Sequence, residues 1–168
     1  MDQERDELLE TWLREYGTSI LRTCFVCLSD MRDAEDALQE TFLKAWRAMD
    51  RYERRNGASE KTWLTHIAIN VCRDMRRTRW FRHVDMRRAL EEVPEGMACA
   101  LPEDRSRLLD IMQLPDKYKQ PLLLYYYQDM TMEETAQALG MSKSTVYNRL
   151  KKAESILKLQ LTGGNCYV

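Results

Sequence analysis

Apolar residues recur every three or four positions along most of the chain, and no stretch of useful length alternates with the two-residue period of a strand. Leu8, Leu9, Trp12, Leu13, Tyr16, Ile20, Leu21, Cys24, Phe25 and Leu28 trace one face of a long amphipathic helix. Ala34, Ala37, Leu38, Thr41, Phe42, Ala45, Trp46 and Met49 trace a second, with Asp33 at its N-cap. A third spans Ser59 to Trp80 and turns Trp63, Leu64, Ile67, Ala68, Val71, Cys72 and Met75 inward. Six glycines and four prolines in 168 residues are too few for a loop-rich β protein. The pattern predicts an all-α fold.

The periodicity lapses across "MRRALEEVPEGMACALPED", which contains Pro94, Gly96 and Pro102. This predicts two small helical domains, 1–85 and 105–162, joined by a flexible linker over 86–104 and followed by a flexible tail over 163–168. The second domain should hold a short helix near Ser106–Leu114. A longer helix over Asp116–Tyr127 should follow, its first turns bent by Pro121. Then comes "TMEETAQALGMSKSTVYNRLKKAESIL", which is more specific. Thr131 and Glu134 have capping-box spacing, Gly140 suits a turn needing positive φ, and Ser142 can cap the next helix. Small Ala136 allows close approach, while Val146 and Leu150 face inward. Helix, glycine turn and capped helix at this spacing make a helix-turn-helix. Its second helix leaves Lys143, Ser144, Thr145, Tyr147, Asn148, Arg149, Lys151 and Lys152 outward, cationic and hydrogen-bonding types suited to the major groove.

The formal net charge of −1 conceals four blocks: −6 over residues 1–50, +7 over 51–88, −6 over 89–141 and +4 over 142–168. A polyanion would therefore be gripped at two places. Within the first acidic block, Asp33, Asp36, Gln39 and Glu40 form a ridge on the second helix. Such a ridge repels DNA and suits a basic protein partner. The first basic block includes Arg54 and Arg55 in the polar loop "RYERRNGASEKTW". Arg73, Arg76, Arg77, Arg79 and Arg82 then interleave with Trp80 and Phe81. Guanidinium groups bind phosphates, and the rings offer stacking platforms to unpaired bases.

The chain opens "MDQERDELLE", and no run approaches the ~18 apolar residues of a spanning helix, which predicts a cytoplasmic protein. Its five cysteines are an odd set and are expected to be reduced thiols. Cys24 and Cys27 form a CxxC, but both lie on an apolar stripe, both histidines are distant, and no second pair completes four ligands. Buried packing is the expected role, with a redox or metal role as the alternative. No nucleophile–base pattern, phosphate-cradling glycine loop or metal-ligand set is present, so neither an enzyme nor a cofactor is expected.

Together "DAEDALQETFLKAWR", "TWLTHIAINVCRDMRR" and "LPDKYKQPLLLYYYQDMTMEETAQALGMSKSTVYNRLKKA" resemble bacterial RNA polymerase sigma factors of the extracytoplasmic-function type, over residues 6–160. The resemblance implies a region 2-like domain that binds core polymerase and melts the minus-10 element, and a region 4-like domain that recognises the minus-35 element. Asp33, Asp36, Gln39 and Glu40 would meet the β′ clamp helices, and the second domain the β flap. Arg54, Arg55, Trp63, Asn70, Arg73, Arg76, Arg77, Arg79 and Trp80 would handle minus-10 DNA. Lys143, Ser144, Thr145, Tyr147, Asn148, Arg149 and Lys152 would handle minus-35. It further implies an anti-sigma factor, often membrane-anchored, and no small-molecule substrate. The competing reading is a free-standing helix-turn-helix regulator that binds duplex DNA as a dimer, which needs neither the acidic ridge nor the Arg/Trp block.

Overall fold

The computed structural model describes residues 2–52, 58–78 and 109–163, with side chains to residue 158. The described residues are helical, without strands. The chain divides into two compact units, Met1–Asp85 and Met86–Val168.

In the first unit α1 (Asp2–Leu28), α2 (Met31–Ala48) and α3 (Glu60–Thr78) form a bundle in which each helix packs on the other two. Trp12, Ile20, Cys24, Phe25, Ala34, Ala37, Phe42, Leu64, Ala68 and Val71 fill its core. Leu8 and Leu13, counted on the α1 stripe, are instead exposed. The buried side chains of α1 are concentrated in its C-terminal half, from Ile20 to Cys27. The N-cap of α2 is Asp30, not Asp33: its Oδ1 accepts from the Asp33 backbone N–H at 2.9 Å. Ser29, with φ 56°, makes the tight turn that puts Asp30 there. Asp33 thus occupies the third helical position, where a carboxylate is favoured by the helix dipole, and it is 7% exposed. Ser59 Oγ accepts from the Thr62 N–H at 3.1 Å and caps α3.

In the second unit a helical turn at 109–112 precedes α4 (Asp116–Leu122), a π-helical turn (Leu123–Tyr127), α5 (Met132–Leu139) and α6 (Lys143–Gly163). The distortion expected in the first turns of α4 falls after Pro121. The proline has no N–H for the Lys117 carbonyl, and downstream the helix widens until Gln128 N–H reaches Leu123 O at 3.1 Å. Leu122, Leu123 and Leu124 stay buried while Tyr126 and Tyr127 swing outward. Ile111, Leu114, Leu122, Ala136, Val146, Leu150 and Ala153 form one core.

Candidate nucleic-acid and protein interfaces

The helix-turn-helix is pinned on both sides of its turn. Thr131 Oγ1 accepts from the Glu134 N–H at 3.1 Å, and Glu134 Oε2 accepts from the Thr131 N–H at 2.8 Å, completing the capping box. Gly140 is left-handed, with φ 65° and ψ 38°. The Met141 N–H returns to Ala136 O at 3.0 Å, satisfying a carbonyl at the end of α5. Ser142 Oγ accepts from the Thr145 N–H at 3.2 Å. Val146, Leu150 and Ala153 lock α6 against its neighbours.

Opposite that buried stripe, Lys143, Ser144, Tyr147, Asn148, Lys151 and Lys152 are exposed and Arg149 is half-buried. Thr145 is less available than its place in the sequence suggests, because its hydroxyl shares a 2.9 Å hydrogen bond with Ser142. Lys143 pairs with Glu133 at 3.5 Å. Lys151 lies 5.5 Å from the Tyr147 ring and pairs with Glu154 at 3.5 Å. Among the described residues that leaves Ser144, Asn148 and Lys152 as exposed side chains of the face for which no such tether is seen. Tyr147 is 52% exposed, an apolar surface set among hydrogen-bonding groups.

Further along α6, beside Lys151, Glu154 Oε1 accepts from the Tyr126 hydroxyl. This hydrogen bond pushes the phenol up to about 12 and holds the Glu154 carboxyl below its usual range. Beside the pair lies an apolar cavity of about 300 Å³ lined by Ile111, Leu122, Tyr126 and Leu157.

In the first unit, Asp36 and Gln39 are exposed and Glu40 is half-buried on the face of α2 turned away from the bundle. Asp33 is not part of that ridge, since capping geometry turns it inward. Leu43, which sequence reading passed over, is 42% exposed. It follows Asp36 by seven positions and Gln39 and Glu40 by four and three, so the acidic ridge ends in an exposed apolar residue on the same face. The signal was an apolar residue off the helix's own stripe.

Along α3, residues 63, 66, 70, 73 and 77 share a face by helical spacing. Trp63 is half-buried in an aromatic cluster, its ring centroid 5.6 Å from Trp12 and 4.8 Å from Tyr52. Tyr52 Oη donates to Ala58 O at 3.0 Å, joining the two ends of the polar loop. Asn70 is half-buried, and its Nδ2 is 3.2 Å from His66 Nε2. Arg73, Arg76 and Arg77 are exposed at the C-terminal end, where the dipole favours cations. Lys44 Nζ stands 3.9 Å from both Glu40 and Asp74, between the acidic ridge and this basic end. Arg54, Arg55, Arg79 and Trp80 lie outside the described residues, as do Phe81, Arg82 and the linker.

Cys24, Cys27 and Cys72 are buried together in the bundle. The Cys72 thiol is pushed well up, chiefly by its hydrogen bond with Cys24 and further by burial. Such thiols are poor nucleophiles. Among the described residues no group of three or more His, Cys, Asp or Glu could hold a metal ion.

The family described as Sigma-70 region 2 matches residues 12–82, and Sigma-70, region 4 matches residues 111–157. The chain is 31% identical over 161 residues to an RNA polymerase sigma-E factor of Streptomyces coelicolor, covering 90% of this chain and 85% of that one. It belongs to the sigma factors of the extracytoplasmic-function type. The ECF RNA polymerase sigma factor SigW of Bacillus subtilis is 29% identical over 160 residues, covering 87% of this chain and 84% of its own. In fold this sigma factor is similar to RpoE of Bartonella quintana, solved in complex with the anti-sigma factor NepR. The TM-score is 0.73 at 20% identity, over 91% of this chain and 96% of that one. A sigma factor binds core RNA polymerase and promoter DNA and directs the start of transcription.

Proposed function

We propose that this sigma factor divides its labour between the two units, the first meeting polymerase and the minus-10 element and the second the minus-35 element. The carrying observation is that the first unit presents an acidic ridge ending in an exposed leucine on α2 and a cationic end on α3. A duplex-binding regulator needs only the helix-turn-helix. Asp36, Gln39, Glu40 and Leu43 face the basic β′ clamp helices. Asp33, expected on that surface, supports α2 from within.

The loop closed by Tyr52 and Ala58, with Arg54 and Arg55, and α3, with Trp63, Asn70, Arg73, Arg76 and Arg77, hold melted minus-10 DNA. Arg79 and Trp80 extend the same basic run in sequence. Lys143, Ser144, Tyr147, Asn148, Arg149 and Lys152 meet the minus-35 duplex, with Thr145 fixing the start of α6. The apolar cavity beside Tyr126 supports docking of the β flap on the second unit. The protein has no active site of its own; polymerase supplies the chemistry, and binding energy from this subunit favours strand opening. It acts in the cytoplasm. An anti-sigma factor restrains it, as one accompanies RpoE in the solved complex.

The test is run-off transcription with core polymerase on a genomic fragment library, with start sites mapped. Promoter-specific starts that require the protein support the reading. Duplex binding without polymerase, and no starts with it, would favour the free-standing regulator.

A further inference from the structure

The pair His66 and Asn70 carries an inference that rests on the proposed role of Asn70 at minus-10 DNA. The two residues are one helical turn apart on α3, both half-buried, on the face that continues to Arg73 and Arg77. The contact is between Asn70 Nδ2 and His66 Nε2, at 3.2 Å. An amide nitrogen can only donate, so Nε2 must be the acceptor and the neutral ring carries its proton on Nδ1. The two ends of a carboxamide point apart, so a nitrogen held by His66 turns Oδ1 away from the ring. Left alone, an asparagine side chain can rotate and offer a base either its oxygen or its nitrogen. Held this way, it offers an acceptor.

We propose that His66 is a positioning residue that fixes the Asn70 carboxamide with its oxygen toward the purine C6 or pyrimidine C4 substituent of one minus-10 base, so that an amine is selected at that corner. In a melted strand the Watson–Crick edges are open to side chains. At that corner adenine N6 and cytosine N4 are amines and can donate to Oδ1, whereas thymine O4 and guanine O6 are carbonyls and would face it acceptor to acceptor; the guanine amine, N2, lies at the other end of the edge. His66 need not touch the base. Its effect passes through the orientation of Asn70.

The experiment transcribes a promoter library randomised across the minus-10 element with core polymerase and the full-length protein, as wild type and four variants. Helical circular dichroism and core binding are checked for each. Wild type should favour adenine or cytosine over thymine or guanine at one position by about fivefold or more, and Asn70→Ala should erase that preference. His66→Ala frees the carboxamide and should flatten the preference at the same position while leaving its neighbours unchanged. His66→Lys offers donors only, draws Oδ1 inward, and should shift the preference toward thymine or guanine. His66→Gln can still accept from Nδ2 and should retain the wild-type choice. If Asn70→Ala changes no position, the minus-10 role of Asn70 fails and the proposal with it. If Asn70→Ala erases a preference that His66→Ala and His66→Lys both leave intact, the role of Asn70 stands and the positioning by His66 is wrong.

Discussion

Tyr52 Oη donates to the Ala58 carbonyl at 3.0 Å, so a tyrosine ring packed on Trp63 also closes the loop that carries Arg54 and Arg55. Removing the hydroxyl leaves the ring stack in place and releases the hold on Ala58. Tyr52→Phe should therefore lower stability by about 0.5–1.5 kcal/mol and reduce open-complex yield severalfold, with core binding unchanged. Thermal unfolding and permanganate footprinting of the melted strand provide the two readings.

Reversal of the α2 ridge tests the polymerase-facing surface. Asp36→Arg with Glu40→Arg places cations against a basic partner, and like-charge juxtaposition costs several kcal/mol. Core binding in a pull-down should be lost while helical circular dichroism is kept, because neither side chain belongs to the core. Leu43→Ala should weaken binding less and without altering its salt dependence.

The arginines at the end of α3 predict a salt effect. Arg76→Ala with Arg77→Ala removes up to two phosphate contacts and should flatten the slope of log affinity against log salt by up to about 2. An unchanged slope in promoter binding by the holoenzyme would leave these side chains as solvated charges.

The recognition helix separates two kinds of residue. Val146→Asp buries an unpaired carboxylate in the core of the second unit and should unfold that unit. Asn148→Ala and Arg149→Ala should leave it folded yet relax base choice at one or two minus-35 positions, by about 1–3 kcal/mol each. Lys152→Ala should weaken all promoters about equally. A randomised minus-35 library transcribed by each variant gives the answer.

The Tyr126–Glu154 hydrogen bond predicts a pH window. Glu154 is held below its ordinary value, so its contribution is present above about pH 4 and is lost as pH falls through the lowered value. Tyr126 is raised to about 12, so its contribution is present below about pH 10 and fades between there and about 12. The Tm difference between wild type and Tyr126→Phe should be small and constant from about pH 6 to 9 and should close at both extremes.

Helical periodicity was enough to place the three helices of the first unit, and cap chemistry placed the helix-turn-helix down to the Thr131–Glu134 box and the left-handed Gly140. Two departures had local causes. Asp30 and Asp33 are both good caps three residues apart, and the choice between them is made by the left-handed Ser29, which no periodicity reveals. Pro121 announced a distortion, but a missing N–H does not say whether the helix will bend before it or widen after it. Of the candidate site, the placement of exposed charge was legible, as with Arg73, Arg76 and Arg77 on α3. The pairing of a side chain with a particular neighbour was not legible. No motif marked the contact of His66 with Asn70, and linear spacing does not show that Tyr52 reaches Ala58.

The capped, glycine-pinned turn has an evolutionary consequence. Since Thr131, Glu134, Gly140, Ser142 and the buried Val146, Leu150 and Ala153 fix where α6 sits, the exposed side chains between them are not needed to hold it there. A duplicated gene could thus exchange Lys143, Ser144, Asn148 or Lys152 one at a time and acquire a new set of target genes without passing through an unfolded intermediate. The scaffold is heritable separately from the address it carries.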